Sequence, residues 1–104
     1  MYKIETFIPK SALQEMKQAL LSVDAGHIGN YCGCITYYPV TGIWHSGENA
    51  NPTIGKPGEW SEEPELKIEV NVKDGDIEKT VKAVRNAHPY EEPVINCLKL
   101  FSAV

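Results

Sequence analysis

No apolar run in the sequence approaches eighteen residues, so no segment reads as a membrane-spanning helix. The chain opens Met1-Tyr2-Lys3-Ile4 without a charged-then-apolar leader, and a cytoplasmic location is expected rather than export. Basic residues are also in short supply. Ten Lys and Arg stand against fourteen Asp and Glu, a net charge of −4, and the ten are scattered along the chain. A phosphate-binding surface needs clustered cations, so nucleic acid is not expected as a partner. The cysteines, Cys32, Cys34 and Cys97, are odd in number and close no familiar disulfide framework. They read as reduced thiols. What is present is the balance of a folded chain: 104 residues, 42% apolar and 23% charged, enough for one domain over 1–104 with one core.

The hydrophobic pattern orders the elements. Tyr2, Ile4, Thr6 and Ile8 share one face of a first strand, with Lys3 and Glu5 on the other. Pro9 ends it, and Ser11-Ala12-Leu13-Gln14 has the form of a capping box before a helix marked by Leu13, Met16 and Leu20. Gly26 and Gly29 are expected to stop that helix. Tyr31 to Trp44 is rich in β-branched and aromatic residues and reads as a strand, bent or bulged at Pro39 and Gly42. Residues 45–64 read as a long irregular loop. Leu66, Ile68, Val70 and Val72 then alternate strictly with polar residues. Asp74-Gly75-Asp76 turns the chain and is expected to cap a second helix, with Ile77, Val81, Val84 and Ala87 on one face. It ends at His88-Pro89, because a residue before proline avoids the helical region. Val94 to Phe101 reads as a last strand.

The order β-α-β-β-α-β predicts an α+β fold of the ferredoxin-like kind, a four-stranded antiparallel sheet with two helices on one face. The other face is left uncovered and is expected to carry Phe7, Tyr37 or Tyr38, and Phe101. An exposed apolar face needs a partner, and self-association is the economical answer.

Four segments bear residues with chemical potential. Cys32-Gly33-Cys34 near His27 suggests a metal, although structural zinc sites use four ligands at wider cysteine spacing, and turn plus core is the simpler reading. Trp44-His45 leads into the long loop, where His45 is either a surface residue or a ligand. Asn51-Pro52-Thr53-Ile54-Gly55-Lys56-Pro57-Gly58-Glu59 lacks phosphate-loop spacing and reads as tight turns. His88-Pro89-Tyr90-Glu91-Glu92-Pro93 presents an imidazole, a phenol and two carboxylates from a stiff loop. There, His88 with Glu91 or Glu92 is a candidate for a divalent cation or polar ligand, with Trp44, Tyr90, Pro89 and Pro93 as pocket or interface residues. In a purely structural reading, the prolines fix the connection and Tyr90 packs. No nucleophile stands beside a base in a recognisable motif, so catalytic residues are not assigned.

Taken in order, His27-Ile28-Gly29-Asn30-Tyr31, Cys34, Gly42-Ile43-Trp44, Ala50-Asn51-Pro52-Thr53-Ile54-Gly55 and His88-Pro89-Tyr90-Glu91-Glu92-Pro93 resemble one known domain. It is the domain inserted in longer YqfO-type members of the YqfO/YbgI dinuclear-metal (Nif-three-like) family, which also occurs as a standalone protein. The resemblance spans roughly residues 1–101. Gly29, Asn30, Tyr31, Pro52 and Gly55 belong to its structural motifs. The hairpin departs from the family pattern at Ser46-Gly47-Glu48-Asn49-Ala50, at Trp44 where Phe is usual, and at Lys67 where Arg is expected.

The resemblance implies a PII/CutA-like fold and a homo-oligomer, with a trimer expected and a dimer as the alternative. The family's two metals are held by flanking domains, so that chemistry is not implied for this sequence. The resulting expectation is a non-catalytic binding or regulatory module with an unidentified protein or small-molecule partner. A divalent-metal-binding protein is the alternative, and a hydrolase-like enzyme is the least favoured.

Overall fold

The computed structural model describes residues 1–101. Its sheet contains β1 (Tyr2–Ile8), β2 (Ile35–His45), β3 (Trp60–Val72) and β4 (Ile95–Lys99) in the order β2-β3-β1-β4, with every neighbouring pair antiparallel. Helices α1 (Leu13–Ser22) and α2 (Ile77–Ala87) pack on one face of it. The predicted ferredoxin-like order is therefore the observed one.

The pleat explains the core. Ile4, Thr6 and Ile8 of β1 stand opposite Val70, Ile68 and Leu66 of β3, all pointing to the helical face and all buried. Met16 and Leu20 of α1 and Val84 of α2 close over them. Thr6, the polar member of this set, donates its hydroxyl to the Val94 carbonyl at 2.8 Å, so its burial leaves no orphan group.

Several local expectations are corrected. Each helix is entered through a short 3-10 turn, Lys10–Ala12 or Asp74–Asp76, and no side chain caps either end as expected for Ser11 or the aspartates. Asp74 instead pairs with the amino terminus and with Lys99. Helix α1 stops before Gly26. Asp24 adopts a left-handed φ of 57°, with Asp24 N–H bonded to Leu21 and Ala25 N–H to Leu20, a Schellman stop without glycine. Cys32 and Cys34 precede β2 rather than lying in it. β2 also runs through Pro39 and Gly42 without a bulge, each residue matched one-to-one from Ile35↔Val70 to His45↔Trp60. Pro39 is tolerated because β2 is an edge strand.

Residues 60–64 are strand rather than loop, so the irregular connection is only 46–59. β1 pairs β3 only over 66–72, and the part of the hairpin beyond is two-stranded. The molecule is correspondingly long, 47 × 24 × 20 Å.

The open face is not the apolar surface expected. Its centre is an ion-pair lattice: Lys3 to Glu69 at 2.9 Å, Lys67 to Glu5 at 3.5 Å, and the Tyr38 hydroxyl to Glu69 at 2.8 Å. The Lys3 hydrogen bond and then the Tyr38 hydroxyl hold the Glu69 carboxyl below its usual range. Phe7 and Tyr38 lie on this face, whereas Tyr37 points to the helical side. Phe101 follows β4 outside the sheet and is fully exposed.

Candidate functional site

The far half of the hairpin is covered on one side by the His88–Pro93 connection. His88 ends α2 in an extended conformation, and the loop turns back across β2 and β3 before β4 begins. Three contacts hold it there. The Tyr90 hydroxyl donates to Glu65 Oε2 at 2.7 Å, the Asn51 amide donates to Glu91 Oε1 at 2.9 Å, and the Thr53 hydroxyl donates to the Pro89 carbonyl at 2.6 Å. The two loops thus bond to one another as well as to the sheet.

Between them lies a cavity of about 410 Å³. Phe7, Trp44 and Tyr90 provide aromatic surface, and Glu65, Glu91 and Glu92 provide carboxylates. The Trp44 and Tyr90 rings are 6.2 Å apart, tilted by 46°. Pro52 and His45 also line the space, and the His45 ring meets Trp60 edge-on at 5.2 Å.

His88 does not join them as a ligand. Its side chain is buried, with Nε2 at 2.8 Å from the Phe7 carbonyl and Nδ1 at 3.2 Å from the Tyr90 amide. A carbonyl can only accept and an amide can only donate, so Nε2 carries the proton and Nδ1 is the acceptor. Both nitrogens are occupied and the ring is neutral. Burial lowers the His88 pKa, against the opposing pulls of the Phe7 carbonyl and Glu65. Pro89 and Pro93 flank the turn that this imidazole anchors. Among the described residues no group of three or more His, Cys, Asp and Glu side chains is arranged to hold a metal ion.

Glu65 went unnoticed in the sequence, where it is one polar residue among the alternating ones of its strand. In the structure it is 6% exposed, and it folds over Gly42, where a Cβ would overlap its Oε1. Glycine on the strand opposite is the one local signal that a side chain needs this space. Tyr90 answers to the same carboxylate: burial first, then the Glu65 hydrogen bond and charge, raise its phenol pKa well above the ordinary value. Tyr90→Phe should therefore cost about 1 kcal/mol of stability, measured by urea unfolding, since a bond to a charged acceptor is lost but Glu65 keeps access to the cavity. An unchanged midpoint would show that this bond contributes nothing.

The remaining segments lie elsewhere. Gly29 and Asn30 form the two-residue turn between Ile28 and Tyr31, which exchange both backbone bonds at 2.9 Å, with Gly29 supplying a φ of 58°. Gly26 holds this segment to Asn71, at the opposite end of the sheet from the cavity. His27 bonds Asp24 and the Gly29 carbonyl and approaches neither cysteine among its hydrogen-bonded partners. Gly55, with a φ of 92°, shapes the 46–59 loop.

No protein-family model matches the chain. The "GTP cyclohydrolase 1 type 2 homolog" of Halalkalibacterium halodurans is 40% identical over 100 residues, covering 96% of this chain and 27% of that protein. The crystal structure of the Bacillus cereus protein related to NIF3 superposes with a TM-score of 0.84 and 31% identity, over 97% of this chain and 26% of that one. The chain is a domain of the NIF3-related family. It spans about a quarter of the length of these relatives. The fold of this NIF3-family domain is also that of the PII-like protein CutA from Nostoc sp. PCC 7120. That superposition has a TM-score of 0.70 and 21% identity, over 96% of this chain and 81% of CutA.

Proposed function

We propose that this NIF3-family domain is a non-catalytic, homo-oligomeric binding module that holds a small ligand between its long hairpin and the His88–Pro93 loop. The observation that carries the reading is the cavity itself. Its volume of about 410 Å³ falls in the range of small-molecule sites, and two mutually bonded loops form its walls. Aromatic surface with a few convergent polar groups is the usual composition of such a site.

Assembly follows from what one chain leaves unfinished. β2 and β4 are both open edges, and the two-stranded end of the hairpin exposes Ile43 and Trp60 on the side away from the loop. A two-stranded ribbon is marginal in water, and exposed apolar groups on it favour a covering surface. A second copy of the chain supplies one, with a trimer as the expected state and a dimer as the alternative. The charged lattice on the open face gives the assembly specific partners rather than a greasy contact.

Native mass spectrometry of protein purified without an affinity tag tests both parts. The reading predicts an oligomer that releases a small organic molecule on denaturation. A bare monomer at micromolar concentration would contradict it. Release of a divalent metal alone would instead favour the cation-binding alternative.

A further inference from the structure

The inference concerns the class of ligand, and it rests on the cavity being a ligand site. Glu65 is 6% exposed, yet no lysine or arginine side chain pairs with it among the described residues. Its Oε2 accepts from Tyr90, and its Oε1 has no hydrogen-bond partner but is not sealed from solvent. That oxygen has no protein donor and lies at the cavity wall, so a ligand's donor can reach it. Glu91 and Glu92 add negative charge to the same cavity, and among the described residues none of its lining side chains is Lys or Arg. Trp44 and Tyr90 offer ring faces beside them.

These features agree on one chemistry. Aromatic faces attract a cation through their quadrupole, and a carboxylate fixes it by a charge-assisted hydrogen bond. An anion would be repelled by the carboxylates and would meet no basic side chain. We propose that the cavity binds a small organic cation, an ammonium or guanidinium group attached to an apolar body. The charged head bonds Glu65 Oε1, and the body lies against Trp44 and Tyr90. Nucleotides and other phosphate compounds are excluded by the same charges.

Three probes of similar size and different charge decide the matter: phenethylammonium, phenethyl alcohol and phenylacetate. The chain has two tryptophans, so Trp60→Phe leaves Trp44 as the sole indole reporter inside the cavity. The expected result is saturable quenching by phenethylammonium with a Kd on the order of 1 mM. The alcohol should bind about tenfold more weakly or worse, and phenylacetate should give no response. Glu65→Gln should weaken the ammonium by about tenfold and leave the alcohol unchanged. The three-probe comparison on the Trp60→Phe protein decides by itself if Glu65→Gln fails to fold. Equal binding of the alcohol, or undiminished ammonium binding by folded Glu65→Gln, would overturn the proposal. Saturable binding of phenylacetate alone would overturn it too, while leaving the cavity a ligand site. No response to any probe would also overturn it, and the mass spectrum of the native protein would then judge the ligand site separately.

Discussion

His88→Ala is expected to lower stability by about 2–4 kcal/mol, because it removes the partner of two backbone groups and leaves a hole under Tyr90. The Phe7 carbonyl loses its donor and the Tyr90 amide its acceptor, and the ring that sits 4.9 Å from the Tyr90 ring is gone. His88→Gln, which can offer one donor and one acceptor, should recover part of the loss. The neutral tautomer also predicts a pH dependence. Burial depresses the folded-state pKa of His88 below its unfolded value of about 6.5. The unfolded chain therefore binds the proton first as pH falls, and stability rises with pH across that interval. The contribution of His88 is fully present above about pH 6.5 and is lost progressively below it. Unfolding free energies of wild type and His88→Gln should converge between pH 7.5 and the acid side of this window. Parallel curves would show that His88 does not titrate in this way.

The second large effect is expected at Gly26. Its φ is 76°, its amide donates to Asn71 at 2.9 Å, and its carbonyl accepts from Cys34 at 3.0 Å. A Cβ here would stand 2.7 Å from the Cys34 nitrogen and 2.8 Å from the Cys34 oxygen, both backbone atoms that cannot swing aside. Gly26→Ala should cost about 3 kcal/mol, from left-handed strain and the forced displacement of the start of β2. Gly29→Ala is the control. It has a φ of 58° but nothing within 4 Å of its would-be Cβ, so only about 1 kcal/mol is expected. Urea midpoints at equal protein concentration with unchanged slopes distinguish the two. Equal losses would mean that crowding against Cys34 is not the deciding term.

The fold was legible where burial is one-sided. The alternation of Ile4, Thr6 and Ile8, and that of Leu66 to Val72, needed only the pleat to place them on the core face. Legibility failed where no apolar core packs against the strand. Residues 60–64 have strand geometry because β2 pairs with them, but Glu62, Glu63 and Pro64 carry no apolar face to announce it. The helix ends failed for a different reason. Pro9 and Lys73 enter extended at ψ near 150°, and the 3-10 turn that follows takes the place of the expected side-chain caps.

The site was half legible. Trp44, Tyr90, Glu91 and Glu92 do come together, and the His88–Pro93 segment does meet the hairpin. The anchoring contact of His88 is not legible in the sequence because its partner, Phe7, contributes a backbone carbonyl 81 residues away, which no side-chain pattern encodes. Glu65 was missed because strand periodicity makes it equivalent to Lys67 and Glu69. Those two sit in an ion-pair lattice, whereas Glu65 lies where the hairpin leaves the sheet and the loop closes over it. The difference is one of register and coverage, not of residue type.

An experimental structure of the assembled protein tests the central claim most directly. The account predicts that the space between Trp44, Tyr90 and Glu65 stays accessible from solvent in the oligomer, with Glu65 Oε1 facing it and available to a ligand. A neighbouring copy whose side chains fill that space and satisfy Glu65 would contradict it, and would make the cavity part of a subunit interface instead.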